Sequence, residues 1–543
     1  MSLAMGSMSR RDVLRLAGTM GAAGVLAACG KHHAPAAAPK PSPDPSASMR
    51  VPTPSVTPSF ATPSPTATPL PPAPDWSKLS KNMHGSVLLP SDTRYASAAQ
   101  LYNPRFDATT HPTAVAQCTA DTDVAAAVAF AADTRYPFAI RSGGHSYAGW
   151  STSPGLVIDV SQLKKVVVDT ASKTARIGAG AKLGDVYAAL AAKGMSIAAG
   201  SCSTVGFGGL VQGGGIGVLT RAYGLTSDSV RAVDLVTADG KLRQVNSSTD
   251  SDLFWAVRGG GGGSFGAATG FTVAVKPAPT VQTFYYAWPF EHANQLLEQW
   301  QTWIAGADRR ITSTCKLLSD PGSATQTALI AGTWIGKASD LTKQLNPLLS
   351  KLPKPATTVV HSHTYAEAML LEAGCSTGTA SACITNAMAP ANRQAFAATS
   401  SVLYGKLNSL AIRTVVDNAN AAMNLSGLIE GGVSFDSLGG AMLDLDDDST
   451  AFAHRDAAAV VQYTATYGPG LQPTMYDSYV RTFRSTMGLW MGTDAYVNYA
   501  DPTIVDYGAA YWSDSYPRLQ QVKKRYDPNE LFTFPQAVRP TTI

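Results

Sequence analysis

A surplus of charge of either sign is missing: 42 Lys and Arg against 38 Asp and Glu leave only +4 over 543 residues. That excludes a nucleic-acid binder held by charge alone. Charged side chains are scarce in total, 15% against a typical quarter, so the solvated surface must rest on Ser, Thr, Asn and Gly. Disorder along the whole chain is nevertheless excluded, because apolar residues reach 45% and the length allows two to four domains with a large core. Cysteine is rare. Six residues with no C-x-x-C pair exclude a disulfide framework, a zinc knuckle and a redox dithiol. The apolar run 16–28 falls short of the roughly 20 residues that span a bilayer. There is no internal repeat and no heptad seam. A metal set is also incomplete: His361 and His363 share a strand face without a third ligand, and Asp444, Asp446, Asp447 and Asp448 lack the glycine and glutamate of a calcium loop.

What is present begins with an address. Arg10-Arg11 stands directly before the apolar run, which ends in Leu26-Ala27-Ala28-Cys29, and residues 1–29 resemble a twin-arginine export signal with a lipoprotein cleavage box. Segment 30–75 is a proline-rich linker; 14 of the 34 prolines lie within 34–74. It would hold a globular body away from a membrane that lipidated Cys29 contacts.

The body reads as α+β. Between 113 and 277, short Val/Ile/Ala runs alternate with helical stretches: helices over 121–133 and 183–193, strands over 138–140 and 156–160, and strands 232–237 and 242–245 flanking the hairpin signal Asp239-Gly240. Past Pro277 and Pro279 a second domain runs to about 495, with helices over 291–304 and 338–349 and strands over 327–333 and 427–435. An amphipathic helix over 515–526 closes the chain at Asp527-Pro528-Asn529.

Glycine carries the strongest local signals. Arg141-Ser142-Gly143-Gly144-His145-Ser146-Tyr147 follows an apolar strand and exposes backbone N–H groups that suit a phosphate. A second tract runs Gly200-Ser201-Cys202-Ser203-Thr204-Val205-Gly206 and continues through Gly208-Gly209 to Gly213-Gly214-Gly215. So many glycines mean that backbone approaches something closely. A third tract holds a literal G-x-G-x-x-G at Gly261, Gly263 and Gly266, but it leads from a helix into a strand, the reverse of a dinucleotide-binding turn, so nicotinamide binding is rejected.

Together these tracts resemble the FAD-binding domain of the berberine-bridge-enzyme-like oxidases, within the vanillyl-alcohol-oxidase (PCMH-type) flavoprotein superfamily. Three further stretches match that family in order: Gly439-Gly440-Ala441 with Thr450 to Arg455, Tyr496-Val497-Asn498-Tyr499-Ala500-Asp501, and Lys523 to Phe532 with its Asp527-Pro528-Asn529-Glu530. The resemblance implies a two-part FAD-binding domain (76–280, completed by 496–543) and a substrate domain (281–495) with a large antiparallel sheet flanked by helices. It also implies FAD attached twice, through His145 and Cys202, both good nucleophiles toward the electrophilic flavin ring. The cofactor-binding residues it implies are Arg141, Ser142, Gly143, Gly144, His145, Ser146, Gly200, Cys202, Thr204, Val205, Gly206, Gly209, Gly213, Gly214, Gly215, Gly266, Asn498 and Tyr499.

The resemblance places Tyr499, on a strand, as the base; a phenol with a pKa near 10 needs nearby positive charge or an oriented partner for that role, and Tyr147 is the next candidate. Valine at 205 goes with oxidases and leucine with dehydrogenases in that family. The expected chemistry is hydride transfer from an alcohol or hemiacetal carbon to FAD, with O₂ reduced to H₂O₂ and a sugar or oligosaccharide as favoured substrate. A tailoring enzyme for a natural product and a non-catalytic carbohydrate-binding lipoprotein are the alternatives. Trp288, Trp300, Trp303 and Trp334 suit either sugar stacking or a helix core. Cys375 and Cys383, eight positions apart, are expected to pair, while Cys118 and Cys315 read as buried thiols.

Overall fold

The structure, a computed structural model, describes residues 70–375 and 378–541. The export signal, Cys29 and nearly all of the proline-rich segment lie outside the described residues. Among the described residues no helix is long and apolar enough to cross a membrane.

Two small sheets form the first body. In one, β1 (Ser86–Leu88) pairs antiparallel with β2 (Ala114–Gln117), while β3 (Phe138–Arg141) and β4 (Leu156–Asp159) run parallel to it in the order β1-β2-β4-β3. Parallel strands need a crossover, and the helix Asp121–Thr134 supplies it. The other sheet, in the order β5-β6-β10-β8-β9, is antiparallel and contains β5 (Val166–Asp169), β6 (Thr174–Gly178), β8 (Val230–Val236), β9 (Leu242–Asn246) and β10 (Ala267–Ala274). A short pair, β7 (Met195–Ser196) with β11 (Lys276–Pro277), lies at the exit to the second body.

That second body is one seven-stranded antiparallel sheet in the order β15-β12-β14-β13-β17-β18-β16. Its strands are β12 (Val281–Pro289), β13 (Ile311–Asp320), β14 (Thr325–Ile335), β15 (Thr357–His363), β16 (Ala395–Leu403), β17 (Leu428–Ser437) and β18 (Ala459–Tyr467). The strand period of two sorts its faces. Cys315, Leu317, Val433, Phe435 and Val461 enter a core with helices Ala293–Gly306, Ser409–Ala421 and Thr474–Met491. The alternate positions, Thr314, Lys316, Ser434 and Asp436, face the other way. Trp288, Trp300, Trp303 and Trp334 all belong to the helix-side core, so of the two readings open to them the helix core holds.

Buried charges join the bodies. Arg221 donates to the carbonyls of Ile311 (2.8 Å), Ala307 (3.0 Å) and Leu438 (2.5 Å). Arg455 pairs with Asp228 at 2.7 Å, both almost without exposure. The helix Tyr365–Glu372, started by a capping box between Thr364 and Glu367, leans back on the first body, where Tyr365 Oη donates to Ile197 O at 2.9 Å. Cys375 and Cys383 are bonded, and Cys118 and Cys315 are buried free thiols.

The chain ends by returning to the first body. Lys523, on the closing helix Tyr516–Tyr526, is fully buried and donates to Ser264 O (2.6 Å), Asp527 Oδ2 (2.6 Å) and Phe532 O (2.7 Å). Asp527 in turn accepts from the amides of Leu531 and Phe532. Lys523→Met therefore strands a buried carboxylate and two carbonyls, and should cost about 3–5 kcal/mol in chemical denaturation. Lys524→Met, on the exposed side of the same helix, should stay within about 0.5 kcal/mol.

Candidate active site

Glycine brings two loops into contact. A Cβ on Gly143 would drive into the backbone of Gly206, and one on Gly206 would strike Ser142 and Gly143, so the loop after β3 and the loop 200–206 lie backbone to backbone. Ser142 Oγ fixes the first loop by donating to Ala179 O at 2.6 Å. This contact places His145 over Thr204: His145 Nε2 lies 2.9 Å from Thr204 Oγ1, and Cys202 Sγ lies 3.3 Å from the same hydroxyl. One buried threonine thus holds both nucleophiles. Burial, and then the charge of Lys182, pushes the His145 pKa down to about 3, so the imidazole is neutral at physiological pH. Its ring stacks on Tyr102 with centroids 3.8 Å apart. The tautomer that donates Nε2–H to Thr204 leaves Nδ1 its lone pair.

Beyond them a cavity of about 500 Å³ runs between the glycine loops and the open face of the seven-stranded sheet. Glycine-rich segments make up much of its wall: the turn 142–147, Gly208 and Gly209 in the helix Phe207–Gln212, and the tract 260–263, with the returning segment 532–536 beside them. A Cβ at Gly209 would meet nothing within 4 Å. Such a cradle, long, glycine-lined and bounded by neutral His145 and free Cys202, fits a flavin dinucleotide in shape and in chemistry.

Phenols gather on the same cavity. Tyr147 and Tyr499 stack with parallel rings 5.0 Å apart, and Tyr496 meets Tyr499 edge-on at 5.0 Å. Gln462, on β18, donates to Tyr147 Oη at 2.5 Å. Burial raises the pKa of Tyr499 well above 10; Tyr147, Asp436 and Tyr496 add to the shift and no cation opposes it. Tyr147 is raised by burial as well. Of the positive charge or oriented partner that the sequence reading asked for beside Tyr499, no cation contributes among the described residues, and both phenols are proton donors at rest. Tyr499 also stands in a 3₁₀ turn, Val497–Tyr499, instead of a strand. Tertiary bonds override the alternation there: Gly215 N donates to Tyr496 Oη (3.0 Å) and Asn498 Nδ2 to Leu210 O (2.9 Å).

Of the expected cofactor residues, Ser142, Gly143, Gly144, His145, Ser146, Gly200, Cys202, Val205, Gly206, Gly209, Gly266, Asn498 and Tyr499 line the cavity. Others do not. Arg141 pairs with Asp159 at 2.7 Å behind the wall. Thr204 works through His145 and Cys202. Gly213, Gly214 and Gly215 make room for Asn498, Phe452 and Thr226 respectively, so their glycines serve packing.

Sequence reasoning missed four groups on the sheet side. Asp436 lines the cavity and accepts from Thr314 Oγ1 and Ser434 Oγ, each at 2.9 Å. Lys316 and Glu372 line it too, and Gln462 holds Tyr147. The available signal, for two of them, was an isolated charge inside a mostly uncharged strand, Lys316 in β13 and Asp436 in β17.

Two segments match family models: residues 112–246 match the FAD binding domain and residues 495–539 the berberine and berberine-like model. These are the parts that wall the cavity on either side of the sheet domain. An FAD-linked oxidoreductase of Bacillus subtilis (strain 168), YgaK, is 32% identical over 461 residues, spanning 84% of this chain and 97% of the relative. Among solved structures, Physcomitrella patens BBE-like 1 superposes with a TM-score of 0.78 at 27% identity, over 86% of this chain and 99% of that one. A carbohydrate oxidase from Microdochium nivale, in complex with a substrate analogue, gives 0.76 at 25% identity and the same coverage.

The sheet-side acids make stability depend on pH. Burial raises Glu372 and Glu430 from an ordinary 4.5 to about 7 against the opposing pull of Lys316. Between those values the folded protein binds more protons than the unfolded chain, so the stability these groups give is complete below about 4.5 and is lost as pH rises through about 7. The thermal midpoint of flavin-free protein should fall over that window, and Glu372→Gln with Glu430→Gln should flatten the fall.

Proposed function

Because the chain belongs to the berberine bridge enzyme-like FAD-linked oxidoreductases, we propose that it is an oxidase of sugars or oligosaccharides at a hemiacetal C1–OH, with bicovalent FAD and with O₂ as acceptor. When bound, FAD would supply the acceptor for a hydride from the alcohol carbon and the route by which O₂ is reduced to H₂O₂. The observation that carries this reading is one cavity lined by a neutral histidine and a free cysteine, both held on Thr204, by two stacked phenols and by a carboxylate. His145 and Cys202 would hold the flavin from one edge.

Tyr499 takes the proton from the substrate hydroxyl. Because its own phenol is protonated at rest, its proton must leave in the same movement, and Asp436, a carboxylate that lines the same cavity, would receive it. Tyr147, fixed by Gln462, orients the hydroxyl. Asn498 braces the turn that carries Tyr499. Val205, beside Cys202 on the cavity wall, leaves the small volume that O₂ needs.

A sugar is favoured because the sheet face of the cavity offers Thr314, Asp436, Lys316 and Glu372, paired donors and acceptors, and because a carbohydrate oxidase shares the fold. A natural-product substrate is the second reading, supported by the small apolar shelf of Tyr285, Leu318 and Leu329 on the same sheet. Paired arginines before the apolar run ending at Cys29 support export of the folded, cofactor-loaded enzyme and a lipid tether.

An absorption spectrum before and after acid precipitation tests the cofactor. The pellet should stay yellow. His145→Ala and Cys202→Ala should each keep one link, with free FAD released only by the double variant; colour lost entirely from the parent pellet would refute covalent attachment, and a colourless parent would leave only the non-catalytic alternative.

The proton path has its own check. Tyr499→Phe and Asp436→Asn should each retain flavin yet slow anaerobic flavin reduction by about 10²–10⁴-fold. Parent-like reduction in either variant would move the base elsewhere.

A further inference from the structure

Beyond Asp436 the open sheet face carries a second set of charges that the chemistry above does not use. In the β13–β17 pairing Thr314 lies opposite Asp436 and Lys316 opposite Ser434. Lys316 therefore stands two residues farther along the same face, about 7 Å from Thr314. It is only 5% exposed, lines the cavity, and makes no hydrogen bond and no ion pair within 4 Å among the described residues. Glu372, at the end of the helix that leans across from the first body, lines the same cavity and is likewise without a hydrogen bond. Asp436, Glu430 and Glu372 act on Lys316 through space, without direct contact.

The cavity wall thus carries an ammonium without an acceptor and a carboxyl group without a hydrogen bond, and a bound group that engages both gains most there. A neutral hydroxyl does so, accepting from the lysine and donating to the glutamate. An anionic group would gain the ammonium but meet the carboxyl groups of Glu372 and Asp436, and a cationic group would meet the ammonium at close range. We propose that Lys316 and Glu372 form a second binding position for a neutral, hydroxylated unit of the substrate, one unit beyond the carbon that is oxidised. The enzyme then prefers a disaccharide or longer chain to a monosaccharide. This rests on the sugar-oxidase reading and names the residues that would set its substrate length.

The test uses the flavin-loaded enzyme and compares a monosaccharide, its neutral disaccharide, and disaccharides whose distal unit is a uronate or an amino sugar. The parent should favour the neutral disaccharide. In Lys316→Met the disaccharide-to-monosaccharide ratio of kcat/KM should fall about 10- to 100-fold, through KM and not through kcat. Glu372→Gln, a gentler change at a helix end, should lower the ratio in the same direction. An unchanged ratio in a flavin-loaded Glu372→Gln protein, or a preference for either charged distal unit, overturns the proposal while leaving sugar oxidation standing. If no sugar reduces the flavin of the parent and another alcohol does, the sugar reading itself is overturned and this position falls with it.

Discussion

Everything in the site depends on two glycines whose backbones touch. At Gly143 and Gly206 a single methyl group would push apart the loop after β3 and the loop that carries Cys202. With the loops in contact, Thr204 reaches both His145 and Cys202, and Val205 comes to the cavity wall beside them. The neighbouring glycines keep Cβ atoms off part of the wall, where a large planar cofactor can approach backbone amides.

The same enclosure sets the electrostatics of His145 and of the phenols. Burial drives the His145 pKa down and the tyrosine pKa values up, because each group is pushed toward its neutral form. A neutral imidazole is the state a nucleophile needs. A neutral phenol is not the state a base needs, so the proton acceptor has to be read from a pair that includes Asp436. Only the sheet side offers charges to a substrate, and it offers them in opposite signs.

The architecture was legible from the sequence to a large degree, because periodic runs and glycine tracts are local signals. The helix expected over 338–349 is Ala338–Leu349, and the hairpin at Asp239-Gly240 joins β8 to β9. The third glycine tract, rejected as a nicotinamide fingerprint on its helix-to-strand order, runs from the helix Ser251–Ala256 into β10 and helps wall the cavity. What the sequence could not disclose is long-range. Lys316, Glu372 and Asp436 come from segments more than fifty residues apart and meet only because β13 pairs with β17 and one helix crosses to the first body. Tyr499 was placed on a strand because alternation cannot register the bonds that Tyr496 and Asn498 make to the glycine loop. Arg141 and Gly213 to Gly215 carry the family pattern yet serve the packing behind the wall.

The central claim is that this cavity brings the carbon of a sugar hemiacetal to a flavin and removes its hydride. Anaerobic rapid mixing of the flavin-loaded enzyme with a sugar deuterated at C1 tests it most directly. The account predicts that the flavin absorbance bleaches and that deuterium slows the bleaching. Absorbance that no hydroxylated sugar bleaches, or bleaching at the same rate with either isotope, would contradict it.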